Sequence, residues 1–294
     1  MEMKTYKVGG HLFQVVFVDE GDDDRLIPSC APFQTDEQGT VLFRLTVDRM
    51  MEEGSGAEEI GQFDCGGCNY GVYRFPDGGY RFEISDLQGV LCAVLCTSVD
   101  FLECRVRLTQ DTWKQRNYAL NNSLMIAYAF ASSNRNTLLM HSSVIRNDGQ
   151  GYMFLGKSGT GKSTHTRLWR EHIPGSDLMN DDNPVLRLTD EGQVVVYGSP
   201  WSGKTPCYRA VEAPCGGIVL LEQRPENTIV RKQGLQAFIS LLPSASTMKW
   251  DRRVYNGVCD TVSAIVGRVP FYVLGCLPDA DAARLSYRTL TQER

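Results

Sequence analysis

Nine consecutive residues, Gly156-Lys157-Ser158-Gly159-Thr160-Gly161-Lys162-Ser163-Thr164, constrain this chain more than any other stretch. They fit G-x-x-x-x-G-K-[ST], a loop whose glycines let backbone N–H groups turn inward around a polyphosphate. The flanks suit the loop. Gly151-Tyr152-Met153-Phe154-Leu155 is a short apolar run that reads as a buried strand. Thr164 to His172 contains no Gly or Pro and reads as a helix, stopped near Pro174-Gly175. Strand, loop and helix in that order place the loop amides at a helix N-terminus, where anions are favoured. Lys162 would then reach the β- and γ-phosphates, and the Ser163 hydroxyl would ligate Mg²⁺. All nine residues are candidate nucleotide contacts, and the expected cofactors are ATP and Mg²⁺, with Mn²⁺ as its substitute.

A chain of 294 residues has room for one large or two modest domains. Its net charge of −5 gives no general attraction to nucleic acid or anionic lipid, so neither is an expected partner. Met1 to Tyr6 lacks the apolar core of a signal peptide. The most apolar runs, Ser123 to Ala131 and Val269 to Leu277, are too short to span a bilayer. The expectation is a cytoplasmic protein, in which the ten cysteines stay reduced. Cys65-Gly66-Gly67-Cys68 has metal or redox spacing, but no second such pair follows, and Gly66-Gly67 reads as a turn between two thiols.

Residues 1–110 are expected to form a β-rich N-terminal region, and 111–294 the catalytic domain. Val41 to Val47, Asn69 to Phe75, Tyr80 to Ile84 and Cys104 to Leu108 read as strands, with Pro76-Asp77-Gly78-Gly79 as a hairpin turn. Glu20-Gly21-Asp22-Asp23-Asp24 reads as a loop without the spacing of a calcium site. Asn117 to Ser132 carries Leu120, Leu124, Ala127, Tyr128 and Ala131 on one helical face. Leu138 to Ile145 reads as one strand containing His141, and Asn147-Asp148-Gly149 turns it back into the strand before the glycine loop. The nucleotide strand should therefore run antiparallel to its predecessor. Further strands are expected at 185–188, 194–198, 217–222 and 270–274, and helices at 235–242, 252–266 and 279–290. With no linker between the halves, one continuous sheet is expected to run through both.

Asp181-Asp182 follows Ser163 by 18 and 19 residues, at a strand end beside the loop. One carboxylate can complete Mg²⁺ coordination while the other takes a proton from an attacking hydroxyl. Neighbours in extended chain point to opposite sides, so one pair can serve both roles; taken alone, the pair reads as an exposed acidic turn capped by Pro184, and its place beside the phosphate loop reverses that reading. His141 alone reads as a satisfied core residue, and His165 and His172 as structural or surface groups. Lys204 and Arg209, in and just after the Ser199 to Pro206 loop, suit a second phosphate or a substrate anion, or else are solvated charges.

Taken in order, Met140-His141-Ser142-Ser143, the loop Gly156 to Ser163 and Asp181-Asp182 resemble the phosphoenolpyruvate carboxykinase and HPr kinase/phosphorylase superfamily. The likeness covers about 135–225. Asn180 to Pro184 and Ser199-Pro200-Trp201-Ser202-Gly203-Lys204 look most similar to bacterial HPr-kinase-like proteins. The resemblance implies an α/β fold with a P-loop mixed sheet, a catalytic role for Asp181, a metal role for Asp182, and a phosphate or metal role for His141. It implies an ATP-dependent kinase acting on a hydroxyl of a small molecule or of a peptide or protein serine. The carboxykinase arginine motif and metal-binding lysine are not found, and neither is the C-terminal pattern of true HPr kinases. A carboxykinase-like enzyme and a nucleotide-binding regulatory or scaffold protein remain the alternatives, and the acceptor and oligomeric state stay open.

Overall fold

Two pleated sheets with different covers divide the chain. A computed structural model describes residues 1–64, 69–203 and 205–292; Cys65, Cys68 and Lys204 lie outside the described residues. One unit comprises Met1–Ser132 with Lys249–Asp251, the other Ser133–Met248 with Arg252–Arg294. The fold is mixed α/β. No helix among the described residues is long and apolar enough to cross a membrane.

The first unit holds β1 (Glu2–Val8), β2 (His11–Phe17), β3 (Val41–Val47), β4 (Glu58–Asp64), β5 (Asn69–Arg74), β6 (Tyr80–Ser85), β7 (Leu91–Thr97), β8 (Glu103–Leu108) and α1 (Trp113–Ala131). Their order in the sheet is β1-β2-β3-β8-β7-β6-β5-β4. Buried Tyr80, Phe82 and Ile84 alternate along β6 with half-buried Arg81, Glu83 and Ser85, the period of a sheet with one covered face. Helix α1 supplies the cover. Thr112 caps its N-terminus, Leu120, Leu124 and Ala127 are buried along it, and it packs on β3, β7 and β8. That packing carries the first unit to Ser132, beyond the boundary expected near residue 110. In the acidic cluster, buried Asp22 is ion-paired with Arg49 and Arg116. Burial works to raise its pKa, but the two guanidiniums outweigh burial and hold the carboxyl below the usual carboxylate range.

The second unit holds β9 (Thr137–Leu139), β10 (Ser142–Asn147), β11 (Gln150–Leu155), α2 (Lys162–His172), β12 (Asp177–Asp182), β13 (Val185–Leu188), β14 (Val194–Tyr197), β15 (Glu212–Gln223), β16 (Thr228–Lys232), α3 (Gly234–Leu241), α4 (Arg252–Val266), β17 (Phe271–Cys276) and α5 (Ala280–Gln292). Strand β11 lies between antiparallel β10 and parallel β15, and β12 lies outside β10. The long β15 serves two neighbourhoods. Its C-terminal part pairs with β11 and β17, while its N-terminal end pairs with β14 and so leads to β13 and β9. The β10–β11 turn sets Asp148 and Gly149 at positive φ, +47° and +71°, as a two-residue hairpin requires.

Alternation splits this unit's core into two layers. Val144, Met153, Leu155 and Ile218 pack with Ala237 and Leu241 of α3 and Val258 and Val262 of α4. Ile145, Tyr152, Phe154 and Val219 pack with Leu168 and Trp169 of α2 and Leu290 of α5. Two expectations are corrected here. The run Leu138 to Ile145 is two strands, because β9 pairs with β13 whereas β10 pairs with β11 and β12. Nor is there one continuous sheet: β8, the last strand of the first unit, has both edges taken by β3 and β7 and leaves none for β9.

Candidate functional site

The glycine loop joins β11 to α2. Gly156, Gly159 and Gly161 take φ of +152°, +81° and +108°, conformations that side chains disfavour, and Gly161 is the N-cap of α2. Thr160 closes the turn internally: its N–H and its hydroxyl both donate to the Lys157 carbonyl, at 3.1 and 2.7 Å. From the end of β15, the Gln223 amide donates to Gly159 O at 3.3 Å. Ser163 is exposed in the first turn of α2.

Lys162 opens that helix and folds back over the loop. Its Nζ donates to Gly156 O at 2.8 Å and lies 2.8 Å from His141 Nε2. Burial lowers its pKa, a shift opposed by the charges of Asp182 and Asp181. His141 sits at the break between β9 and β10. Its N–H donates to Ser244 O at 2.7 Å, and that of Met140 donates to Pro184 O at 3.0 Å. With Lys162 charged, Nε2 accepts and the ring proton sits on Nδ1, which faces Asp182 Oδ1 at 3.3 Å. Asn183 Nδ2 donates to the other Asp182 oxygen at 2.8 Å. Lysine, histidine and carboxylate thus form a connected row.

Cross-strand register separates the two aspartates. Ser142 lies opposite Asp182, and Ser143 opposite Asp181. Opposed residues share a face, so Asp181 lies on the α2 side with Ser143 and Asp182 on the other. Asp181 is only 6% exposed, and Ser143 Oγ donates to its Oδ1 at 2.8 Å. Thr166 Oγ1 is 3.1 Å from the same serine hydroxyl and also reaches the carbonyls of Ser163 and Lys162, at 3.2 and 3.3 Å. Two hydroxyls therefore tie Asp181 to the first turn of α2.

The end of β12 is held from its outer side as well. The buried Asn180 amide donates to Ser199 Oγ and Trp201 O, at 3.1 and 3.2 Å. Gly203 N–H donates to Asp181 O at 3.3 Å, and a Cβ on Gly203 would fall 2.8 Å from that oxygen. Only glycine allows so close an approach. Ser143, Thr166, Asn180 and Gln223 do this supporting work, and linear spacing gives no sign of it because each acts on a residue from another element.

Arg209 is not brought to this end. Its guanidinium pairs with Asp177 at 2.8 Å and donates to Leu178 O, at the start of β12. Five residue steps of strand, at ~3.3 Å each, lead from Asp177 to Asp182. Burial works to raise the Asp177 pKa, and Arg146 and Arg209 outweigh it to hold the carboxyl low. His165 is buried under α5, its Nε2 3.0 Å from Ser286 Oγ, and burial pushes its pKa down to about 4. His172 is exposed.

No group of three or more His, Cys, Asp or Glu that could hold a metal ion occurs among the described residues. Mg²⁺ commonly takes one or two carboxylates plus phosphate oxygens and water, and the hard oxygen donors of Ser163 and Asp182 fit that chemistry. The eight described cysteines are all free thiols.

No protein-family model matches this chain, and no curated protein matches it. Among solved structures, the chain is similar to the Hpr(Ser) kinase/phosphatase from Coxiella burnetii. The two are 13% identical over 53% of this chain and 88% of that one, with a TM-score of 0.32. A likeness of that size fixes neither the fold family nor the activity.

Proposed function

We propose that this chain is an ATP-dependent kinase that transfers a phosphoryl group to a hydroxyl, either of a small molecule or of a peptide or protein serine. One observation carries the reading: a G-x-x-x-x-G-K-S loop between strand and helix, whose lysine shares its surroundings with His141 and two carboxylates on β12. The order of these motifs along the chain, which resembles the carboxykinase and HPr kinase superfamily, supports it.

Phosphoryl transfer asks a protein mainly for positioning and for charge at the migrating group. In this reading the amides of 156–164 cradle the phosphates of ATP. Lys162 exchanges Gly156 O and His141 for phosphate oxygens. Ser163 and Asp182 would hold Mg²⁺, which would neutralise phosphate charge. Asp181, fixed by Ser143, takes the acceptor's hydroxyl proton as the new O–P bond forms and the bond to the leaving ADP breaks. His141 orients Asp182 and spaces it from Lys162. A cytoplasmic setting, with ATP and reduced thiols, suits this chemistry.

The test is a screen for ATP consumption across candidate acceptors, with mass spectrometry of each product and Lys162→Ala as control. A phosphorylated acceptor formed only by the wild type supports the kinase. Tight Mg²⁺–ATP binding with no transfer to any acceptor would move the reading to a nucleotide-binding regulatory protein.

A further inference from the structure

Helix α3 reads Gly-Leu-Gln-Ala-Phe-Ile-Ser-Leu, with Gln236 and Ser240 its only polar side chains. The Ser240 hydroxyl is spent on the helix itself, donating to Gln236 O at 2.8 Å. A helix apolar all round belongs in an interior. Here Ala237 and Leu241 are buried, but Leu235 and Ile239, one turn apart, stay 74% and 59% exposed. Beside them a groove of about 510 Å³ runs between α3 and α4, lined by Gly234, Leu235, Phe238, Ser263, Val266 and Gly267. Ser263 supplies its one polar side chain. Ligand pockets for small molecules place several polar groups to fix orientation, and this groove does not.

Cations adjoin it in the chain. Lys232 precedes the lining Gly234 by two residues and Arg268 follows the lining Gly267, and Arg268 donates to Ala264 O at 2.8 Å, on the helix that forms the groove's second wall. Six lining residues fall well short of the ~20–30 per side of a stable interface between folded proteins. A second copy of this chain would also bring the same cations with it.

We infer that the α3–α4 groove docks a short amphipathic helix of a partner protein, its apolar stripe on Leu235, Phe238 and Ile239 and its carboxylates beside Lys232 and Arg268. The inference is independent of the nucleotide site. The test uses two synthetic helical peptides sharing a leucine stripe at i, i+3, i+4 and i+7, one flanked by glutamates and the other by lysines, titrated into the full chain by calorimetry. The glutamate peptide should bind about tenfold tighter than the lysine peptide. Leu235→Gln with Ile239→Gln should weaken it about tenfold at an unchanged melting temperature. Lys232→Glu with Arg268→Glu should reverse the preference between the peptides, a result that a merely sticky surface cannot give. Equal affinity for both peptides, or no binding of either, overturns the proposal. So does a concentration-dependent dimer in sedimentation that the double glutamine variant abolishes, since the occupant is then a second copy.

Discussion

Asp181 and Asp182 are chemically alike and adjacent, yet they face opposite sides of β12 and touch different groups. Their loss should therefore register in different measurements. Asp182→Asn removes a charged oxygen from the proposed Mg²⁺ site and should weaken Mg²⁺–ATP binding in calorimetry. Asp181→Asn should bind Mg²⁺–ATP within about tenfold of wild type while turnover drops roughly a hundredfold or more, because proton transfer counts only in the transition state. Wild-type turnover in Asp181→Asn would remove it as the base. Ser143→Ala takes the hydroxyl from a buried carboxylate, a charge-assisted bond, and should cost ~1.5–3 kcal/mol in urea unfolding. Ser143→Thr should restore most of that, and no loss in the alanine variant would mean that Asp181 finds another donor. The carboxylate pair was legible from its distance to the loop. The serine's duty was not, because the two residues lie 38 apart and meet only through the β10–β12 register.

Between elements, α2 is locked to α5 by one hydroxyl. Trp169 Nε1 donates to Ser286 Oγ at 2.9 Å, and His165 Nε2 lies 3.0 Å from the same oxygen. His165 is neutral in the fold because burial lowers its pKa from 6.5 to about 4. As pH falls below 6.5 the unfolded chain takes up this proton and the native state does not, so stability declines between about 6.5 and 4 and is fully present above 6.5. The loss is at most ~3.5 kcal/mol. Asp22 and Asp177, with pKa values held low, lose their contribution only at still lower pH. Urea midpoints measured from pH 7 to pH 4.5 should therefore fall in the wild type and flatten in His165→Gln; parallel curves would show that another group governs the decline. The helices lay within a few residues of their expected places, α1 from its buried face of Leu120, Leu124 and Ala127 and α2 from a run free of Gly and Pro. Nothing in the sequence warned that His141 interrupts a β-rich run, because Leu138 to Ile145 has strand character on both sides of the histidine and only the choice of partners divides it.

For the whole molecule, the order of motifs along the chain was readable without knowing which strands pair; the pairing itself was not. A continuous sheet looked natural from contiguous strand runs, but strand order is set by edges, and β8 has none free. Arg209 shows the same limit, since a loop cation within reach in sequence is engaged at the far end of β12. What the site should do to the fold is nonetheless simple thermodynamics. A ligand that binds the native state and not the unfolded chain stabilises by RT ln(1 + [L]/Kd), ~2.7 kcal/mol at a hundredfold excess over Kd. For units of this size that is several degrees, at ~2–4 °C per kcal/mol. Mg²⁺–ATP should raise the melting temperature of the wild type by this order. The shift should shrink when chelator removes the cation, since phosphate charge is then unneutralised beside Asp181 and Asp182. It should nearly vanish in Lys162→Ala, which loses the ammonium that Gly156 O and His141 hold over the loop. Equal shifts in Lys162→Ala and wild type would place nucleotide binding elsewhere on the molecule, and with it the kinase reading would fall.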